Sequence, residues 1–206
     1  MAKLNIAPTK SNLLNLERQL DFAQEGYDLL EQKRQILIFE LMSRLNRAEE
    51  AERKVAEALR QAFEALREAT LDVGSEAIDR VTLGIAMKHK IELSDDRLMG
   101  MGVPKVTVRA EHMGVRFGVT GTSSNTDLAM NRFVDVLPLL AELAELENAV
   151  MRLARELRRT QRRTNALSKI FIPQYRETID YIMGSLEERE RESLIILKMI
   201  RDRLET

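Results

Sequence analysis

Apolar residues recur at alternate steps of three and four along the segment from about Asn12 to Asp72, which contains no proline. Only Arg34 and Arg44 interrupt this first seam. An apolar heptad repeat that continues far beyond three or four heptads predicts an α-helix within a coiled coil. At a rise of about 1.5 Å per residue, this helix would be about 90 Å long. The positions of the first seam are Leu13, Leu16, Leu20, Ala23, Tyr27, Leu30, Arg34, Leu37, Leu41, Arg44, Ala48, Ala51, Val55, Ala58, Ala62, Ala65 and Ala69.

A second long seam runs through the segment from about Asp127 to Leu204. Three consecutive steps of four, from Leu167 to Ile179, predict a phase slip, and Pro173 lies inside it. A proline within a helix removes one backbone hydrogen bond, so we expect a bend at Pro173 and another at Pro138. The positions of the second seam are Leu143, Leu146, Val150, Leu153, Leu157, Thr160, Thr164, Leu167, Phe171, Tyr175, Ile179, Ile182, Leu186, Arg189, Ser193, Ile196, Ile200 and Leu204.

The period changes between about Val73 and Thr126. Lys105–Ala110 and Val115–Thr120 each alternate apolar with polar residues, and Gly114 lies between them. Two alternating runs joined by a glycine-containing turn predict a β-hairpin. Gly100, Gly102 and Pro104 precede the first run and predict a loop.

These segments together predict an all-α fold, a long antiparallel two-helix coiled coil with a small central insert that contains the hairpin. Its regions would be residues 1–72, 73–126 and 127–206. Neither seam can be buried alone, so each must cover the other. If the free ends are flush, the numbers of residues at one level add up to about 205–215, because both helices have the same rise.

Two pairs of unusual helix positions can be placed in this register. Arg34 and Arg44 are polar seam residues, which typically specify register, and Arg34 would lie near Glu177 and Asp180. Gly26 and Gly184 would lie at one level. They are either tolerated surface glycines or a narrow girdle where a surrounding protein passes close to the helices.

A basic cluster occupies one broad face of the second helix. Arg155, Arg158, Arg159, Arg162 and Arg163 follow the spacing of residues that share a helix surface. The flush register would set them level with acidic residues of the first helix, namely Glu49, Glu50 and Glu52. Interhelical ion pairs, an acidic protein partner and nucleic acid are the three interpretations. No aromatic residues interleave the arginines for base stacking, which disfavours nucleic acid.

Composition supports paired helices over a wide globular core. Aromatic residues make up 4% of the chain, Trp is absent, and charged residues make up 32%. The net charge of -1 favours neither nucleic acid nor an anionic membrane, and the lack of Cys excludes disulfides. No apolar run approaches the roughly 20 residues of a membrane span, and the N-terminal residues lack the apolar run of a signal peptide. We therefore expect a cytoplasmic chain that meets a membrane only through partners.

Residues for catalysis, cofactor binding or metal binding are not grouped in any recognisable motif. The chain has no phosphate-binding G-x-x-x-x-G-K-[ST] motif and no Ser/His/Asp or Cys/His arrangement. His89 and His112 are the two histidines, and their spacing is not that of metal ligands. We expect no catalytic site, no cofactor and no metal.

Four segments carry a family resemblance. NIAPTKSNLL at Asn5–Leu14 and EGYDLLEQKR at Glu25–Arg34 lie near the N-terminus. RRTNALSKIFIPQYRETIDYI at Arg162–Ile182 and EERERES at Glu187–Ser193 lie near the C-terminus. Together they resemble the D subunit of V/A-type rotary ATPases and ATP synthases over most of both helices. The central insert carries little of this signature and resembles the family only in having a short region with a hairpin.

This resemblance implies a non-catalytic central rotor shaft. Such a shaft stands in a ring of catalytic A and non-catalytic B subunits, with the small F subunit of the rotor alongside it and a d-type (C) socket subunit linking it to the membrane ring. Its place would be cytoplasmic and peripheral to the membrane, and the coupled ion is H⁺ or Na⁺. Gly26, Gly184 and the arginines Arg158, Arg159, Arg162 and Arg163 would then be candidate contacts with other subunits, and Pro173 a candidate source of asymmetry.

Other functional classes are also compatible with two long helices. One is a coiled-coil scaffold without rotation, and a related one is the stalk protein of a secretion-type ATPase. A helical nucleic-acid-binding protein is the third. Co-purification with a hexamer of A and B subunits would favour the rotor shaft over these alternatives.

Overall fold

A computed structural model describes residues 4–84, 90–98, 100–109 and 122–204. The chain divides into two compact units. Unit 1 comprises Met1–Ile38 and Glu156–Thr206, and unit 2 comprises Phe39–Arg155. The elements are, in order, α1 (Lys10–Val73), α2 (Ser75–Gly84), β1 (Lys90–Leu98), β2 (Met101–Arg109), α3 (Ser124–Ala166), a π-helical segment (Leu167–Phe171) and α4 (Ile172–Leu204). The predicted all-α fold with a small hairpin insert is confirmed.

Helix α1 begins and ends where side-chain and backbone chemistry favour it. The Thr9 hydroxyl accepts a hydrogen bond from the Asn12 N–H (3.3 Å), as expected of a residue that caps a helix N-terminus. At the other end Gly74 has φ 82, and its N–H bonds to the Thr70 carbonyl at 3.0 Å. A glycine in this left-handed conformation satisfies the last carbonyls of a helix without the strain that a Cβ would cause.

The core of unit 1 lies where α1 packs antiparallel against α4. Leu16, Ile179 and Ile182 are buried together, and Leu4 and Ile6 of the N-terminal segment pack against them. The Leu4 N–H donates a hydrogen bond to the buried Thr178 hydroxyl at 3.1 Å. The residues before α1 therefore fold back on the helix pair.

The core of unit 2 is built largely from alanines of α1. Ala48 and Ala51 pack with Leu146 of α3, and Ala62, Ala65 and Ala69 are also buried. Small side chains allow two helix backbones to approach closely. Farther along α1, Phe63 makes an edge-to-face contact with Phe133, with ring centroids 5.3 Å apart. Asp72 accepts a hydrogen bond from Asn125 at 2.8 Å, which shows that α1 and α3 are antiparallel.

The hairpin of the central insert pairs β1 with β2 antiparallel, with Lys90 opposite Arg109. A hairpin in the central insert is confirmed. Its strands differ from the predicted pair of Lys105–Ala110 and Val115–Thr120, because Lys105–Arg109 pairs with the upstream strand β1, and Val115–Thr120 lies outside the described residues. The predicted loop is also wrong, because Gly102 and Pro104 belong to β2. Only Gly100, with φ 79, lies in the turn. The polar sequence of β1 has too few apolar residues to signal a strand.

The edge of β2 that faces away from β1 contacts α3. The Val106 N–H donates to Glu145 Oε2 at 3.1 Å, and the Gly102 carbonyl accepts a hydrogen bond from Arg152 Nη1. Outward-facing backbone groups alternate along a strand, so Pro104 lies in the same set, where its missing N–H removes no ladder bond. Helix α3 thus covers an edge that would otherwise be open to pairing with another chain.

The helical path of unit 1 is irregular where the phase slip was predicted. Ile172 N–H bonds to the Leu167 carbonyl, five residues earlier, as in a π-helix. Pro173 follows at once and has no N–H to donate. The π-turn accommodates the one additional residue that three steps of four introduce into a heptad seam. In unit 2, α3 runs through Pro138 without interruption.

None of the helices within the described ranges is both long enough and apolar enough to cross a lipid bilayer.

Candidate functional site

The contacts within unit 1 correct the predicted register. Lys10 Nζ lies 2.9 Å from Glu190 Oε1, and Lys33 Nζ lies 2.8 Å from Glu156 Oε1. The flush register would have set Lys10 opposite residues numbered about 195–205 and Lys33 opposite residues numbered about 172–182. That register is wrong, because the end of α4 extends past the start of α1.

The predicted partners of Arg34 change with the register. Arg34 Nε donates to Glu31 Oε2 of its own helix at 2.9 Å, and Arg44 Nε donates to Glu40 Oε1 at 2.7 Å. Because the neighbouring Lys33 lies level with Glu156, Arg34 is not level with Glu177 or Asp180 as predicted. Both arginines are half-buried. Their role in specifying register stays a prediction.

Gly26 and Gly184 do not lie at one level, so the predicted girdle is wrong. Gly26 lines a cleft with Leu167 and Phe171. The neighbours of Gly184, Met183 and Leu186, line a different cleft with Leu13 of α1. A Cβ added at either glycine would meet no atom within 4 Å outside its own helix backbone. Packing among the described residues therefore does not require either glycine, and a role for them in binding other subunits stays a prediction.

The basic cluster of α3 is exposed to solvent. Arg158, Arg159, Arg162 and Arg163 are all exposed in unit 1, and none makes an ion pair with another described residue. Arg155 belongs to unit 2. The cluster is thus available to a partner.

The predicted neutralisation of this cluster by Glu49, Glu50 and Glu52 is wrong. Glu156, on the same turn of α3, lies level with Lys33. The hydrogen bond from Lys33 is the main cause of a lowered pKa at Glu156, and the positive charges of Arg159 and Arg163 lower that pKa further. Glu156 is therefore the carboxylate that the cluster faces within the chain.

An apolar cleft opens beside the π-helical segment of unit 1. It has a volume of about 510 Å³ and is lined by Phe22, Ala23 and Gly26 of α1 and by Leu167, Phe171 and Tyr175. Phe22 is 77% exposed, and Phe171 is 43% exposed. Sequence reasoning missed this cleft because Phe22 lies one residue outside the first seam. A search for a second heptad repeat beside the first would have found it.

No other described residue covers the last part of α4. Leu186 is the last half-buried residue, and residues 187–204 are all exposed. The prediction that Ile196, Ile200 and Leu204 are buried in the seam is wrong. Large apolar side chains point to every side of this helix end, at Leu194, Ile195, Ile196, Leu197, Met199, Ile200 and Leu204. Exposed apolar side chains clustered in this way are typical of a surface that another protein covers.

Two of the segments that carry the family resemblance meet in unit 1. Arg189 Nη1 donates to the Pro8 carbonyl at 3.1 Å, next to the ion pair between Lys10 and Glu190. Asn12 Nδ2 donates to the Ala7 carbonyl at 2.8 Å and closes the turn that leads into α1. These contacts bring NIAPTKSNLL and EERERES together, so that one segment anchors the other.

The described parts of the chain contain no group of three or more His, Asp or Glu side chains arranged to bind a metal ion. His89 and His112 lie outside the described residues.

Comparison with known proteins covers almost the whole chain. The family model for the D subunit of ATP synthase matches residues 12–202. The V-type ATP synthase D subunit of Thermotoga neapolitana is 34% identical over 201 residues, which cover 98% of this chain and 99% of the relative. The A-type ATP synthase D subunit of Methanosphaera stadtmanae is 36% identical over 203 residues, which cover 97% of this chain and 95% of the relative. Its counterpart from Pyrococcus abyssi is 37% identical over 207 residues, with 98% and 96% covered. A family match of this extent, together with paired helices and a hairpin insert, means that the chain belongs to the family of ATP synthase D subunits.

Proposed function

We propose that this chain is the central stalk subunit of a V/A-type ATP synthase and works as a non-catalytic rotor shaft. It transmits torque between the membrane ring and the catalytic hexamer. Relatives named as the D subunits of V-type and A-type ATP synthases support this assignment along nearly their whole length. The chemistry of ATP takes place in other subunits.

The observation that carries the proposal is the uncovered apolar end of α4. Residues 187–204 are exposed, although seven of them are large and apolar. Because these side chains point to all sides, a single flat surface cannot cover them, whereas a socket that surrounds the helix can. The central opening of a ring of A and B subunits is such a socket. Its contacts would be apolar at this end and polar near Arg158–Arg163.

Torque transmission also requires stiffness and asymmetry. Within each unit, continuous packing of helix against helix resists twisting. The π-turn before Pro173 lies in only one of the two helices that pair in unit 1, and we assign the asymmetry of the shaft to this region. A rotor orientation then favours one catalytic interface over the next through its different contacts with each.

The remaining partners follow from the family. The small F subunit of the rotor would bind beside the helices, and a d-type (C) socket subunit would connect the shaft to the membrane ring. The chain would thus be cytoplasmic and peripheral to the membrane, as a part of the ATPase complex.

Truncation after Ser193 tests the proposal in a reconstituted complex. This variant removes the uncovered apolar end but keeps Arg189 and Glu190, which hold the N-terminal segment. We expect the complex to assemble and to lose coupling between ATP hydrolysis and ion transport. A control variant in which Arg201 and Arg203 alone become Gln keeps the apolar side chains and should stay coupled. Full coupling in the truncated complex would instead indicate a passive spacer.

A further inference from the structure

The second helix of the pair in unit 1 has a gap in its core between two buried threonines. Thr164 is buried on one side of the gap and Thr178 on the other. None of residues 165–177 is buried, although the predicted seam runs through Leu167 and Tyr175. At about 1.5 Å per residue, the gap extends for about 20 Å along the helix. Unlike the uncovered end of α4, it has buried residues on both sides.

Helix α1 fills little of the space opposite this gap. Among the α1 residues that line the apolar cleft, only Ala23 is buried, and its side chain is small. The largest apolar residue among them, Phe22, is 77% exposed. A Cβ added at Gly26 would meet no atom within 4 Å beyond the neighbouring backbone of its own helix. The two helices therefore share fewer van der Waals contacts at this level than a filled seam would give.

The backbone is also less constrained along the gap. The Ile172 N–H bonds to the Leu167 carbonyl, five residues earlier, and Pro173 has no N–H to donate. The regular ladder of hydrogen bonds between residues four apart is thus interrupted here. In α1, Gly26 has more backbone freedom than any residue with a side chain. Both helices are less restrained within the same part of unit 1.

Hydrogen bonds of buried hydroxyl groups hold the helix at both borders of the gap. Thr164 Oγ1 donates to the Thr160 carbonyl at 3.1 Å. Thr178 Oγ1 donates to the Gln174 carbonyl at 2.6 Å and accepts from the Leu4 N–H at 3.1 Å. The less restrained segment is therefore limited to residues between two firmly held turns.

The resistance of a helix pair to twisting comes from the packing between the helices and from the hydrogen bonds within each helix. Both contributions are smaller in the gap than beside it. Segments that lie one after another along a shaft carry the same torque, so the least resistant segment twists most. A segment with few buried contacts also opens locally at a lower free energy.

We infer that residues 165–177, together with residues 22–26 of α1 across the cleft, form a torsional joint. Under torque, the helix pair of unit 1 twists more at this joint than in the packed segments on either side, and it returns elastically when the torque is released. The inference rests on the proposed function, because torque acts on the chain only as a part of the complex.

Amide hydrogen exchange of the full chain gives the first test. After correction for intrinsic rates, we expect the protection of residues 165–177 to be at least tenfold lower than that of residues 157–164 and 178–186. Gly26→Leu places an apolar side chain in the cleft, and Pro173→Ala restores an N–H. This double variant should remove most of the difference in protection.

A matched control makes the same two substitutions outside the joint. Gly184 also lies in a helix with free space for a Cβ, and Pro138 also lies within a helix. Gly184→Leu with Pro138→Ala should leave the low protection of residues 165–177 unchanged.

Angular fluctuations of single complexes give the second test. Because the chain contains no cysteine, a cysteine introduced at the exposed Leu71 attaches a bead selectively, while the catalytic hexamer is fixed to a surface. Without ATP, the variance of the bead angle measures the torsional stiffness of the shaft. Gly26→Leu with Pro173→Ala should lower this variance about twofold, and the control variant should not change it.

Three results would each overturn the inference: protection of residues 165–177 equal to that of their flanks, an unchanged variance in the Gly26 and Pro173 double variant, or an equal decrease in the control. The proposed function would still stand in those cases if the truncation after Ser193 uncouples the complex, because a uniformly stiff shaft also transmits torque.

Discussion

The backbone N–H of Val106 donates a hydrogen bond to the Glu145 carboxylate at 3.1 Å, and this bond attaches the outer edge of β2 to α3. A strand edge whose N–H and C=O groups are unpaired can pair with another chain. Here Glu145 accepts from one outward group and Arg152 donates to another, the Gly102 carbonyl. Pro104, between them, offers no N–H. Three residues of β2 and two charged side chains of α3 thus protect the hairpin.

Glu145→Ala should release this edge locally. The Val106 N–H would lose a charged acceptor, and a hydrogen bond to a charged group typically contributes about 1.5–3 kcal/mol. We expect faster amide hydrogen exchange at Val106 by one to two orders of magnitude, with unchanged exchange in unit 1. Glu145→Gln keeps an oxygen acceptor and should change exchange less. Equal exchange rates in Glu145→Ala and in the unchanged protein would contradict the assignment of this bond.

Gly26→Ala and Gly74→Ala should change stability in opposite directions. Gly26 lies in a helix interior with space for a Cβ, and alanine is favoured there by about 1 kcal/mol. Gly74 has φ 82, a conformation that costs an L-residue about 1–2 kcal/mol. Urea denaturation of both variants, followed by circular dichroism, measures the two changes. A lower free energy of unfolding for Gly26→Ala would mean that the glycine is required within the chain and is not kept for a partner.

Glu156→Gln should reduce the acid sensitivity of unit 1. Lys33 donates to Glu156 and holds the pKa of that carboxyl below its usual value of 4.5. A carboxyl whose pKa is lower in the folded state than in the unfolded state stabilises the fold above pH 4.5, and this contribution is lost as the pH falls through the lowered pKa. We therefore expect the unchanged protein to have a higher Tm than Glu156→Gln at pH 7. The Tm values of the two proteins should converge below about pH 4.

Lys33→Gln serves as the matched control for this pH dependence. Without the lysine, the Glu156 pKa should return towards its usual value, and a further change of Glu156 to Gln should have a smaller effect on Tm at pH 7 than it has when Lys33 is present. If Glu156→Gln lowers Tm equally with and without Lys33, the ion pair does not account for the pH dependence.

Thr178→Val should detach the N-terminal segment from unit 1. The buried Thr178 hydroxyl accepts from Leu4 N–H at 3.1 Å and donates to the Gln174 carbonyl at 2.6 Å. Valine fills the same space but leaves the Leu4 N–H unpaired, which costs about 1–3 kcal/mol if the group stays buried. We expect faster amide exchange at Leu4 and earlier cleavage between residues 4 and 9 in limited proteolysis. Thr178→Ser keeps the hydroxyl, so protection of Leu4 should be retained.

The sequence by itself determined the helices, their two seams and the position of the irregularity near Pro173. These features depend on residues close together in the chain: steps of three and four predict a helix, and three consecutive steps of four predict a phase slip, with Pro173 inside it. Leu16 and Leu37 are buried as the first seam predicts, and Leu153 and Ile182 are buried as the second seam predicts. The amino-acid sequence also showed the four segments that carry the family resemblance, and it showed no catalytic motif.

Tertiary structure decided the register, the pairing of the strands and the exposure of individual seam residues. A shift of one helix by whole heptads still places seam residues opposite seam residues, so the repeat pattern alone cannot distinguish such registers. The choice depends on the sum of many separate contacts between distant residues, of which the pair of Lys33 with Glu156 is one. The repeat pattern also does not show where the partner helix ends. The second seam therefore continues to Leu204 in the sequence, although no part of α1 lies beside the end of α4 to cover its apolar residues. Strand β1 was missed because its pairing with β2 and the docking of β2 on Glu145 and Arg152 stabilise a segment whose own residues only weakly favour a strand.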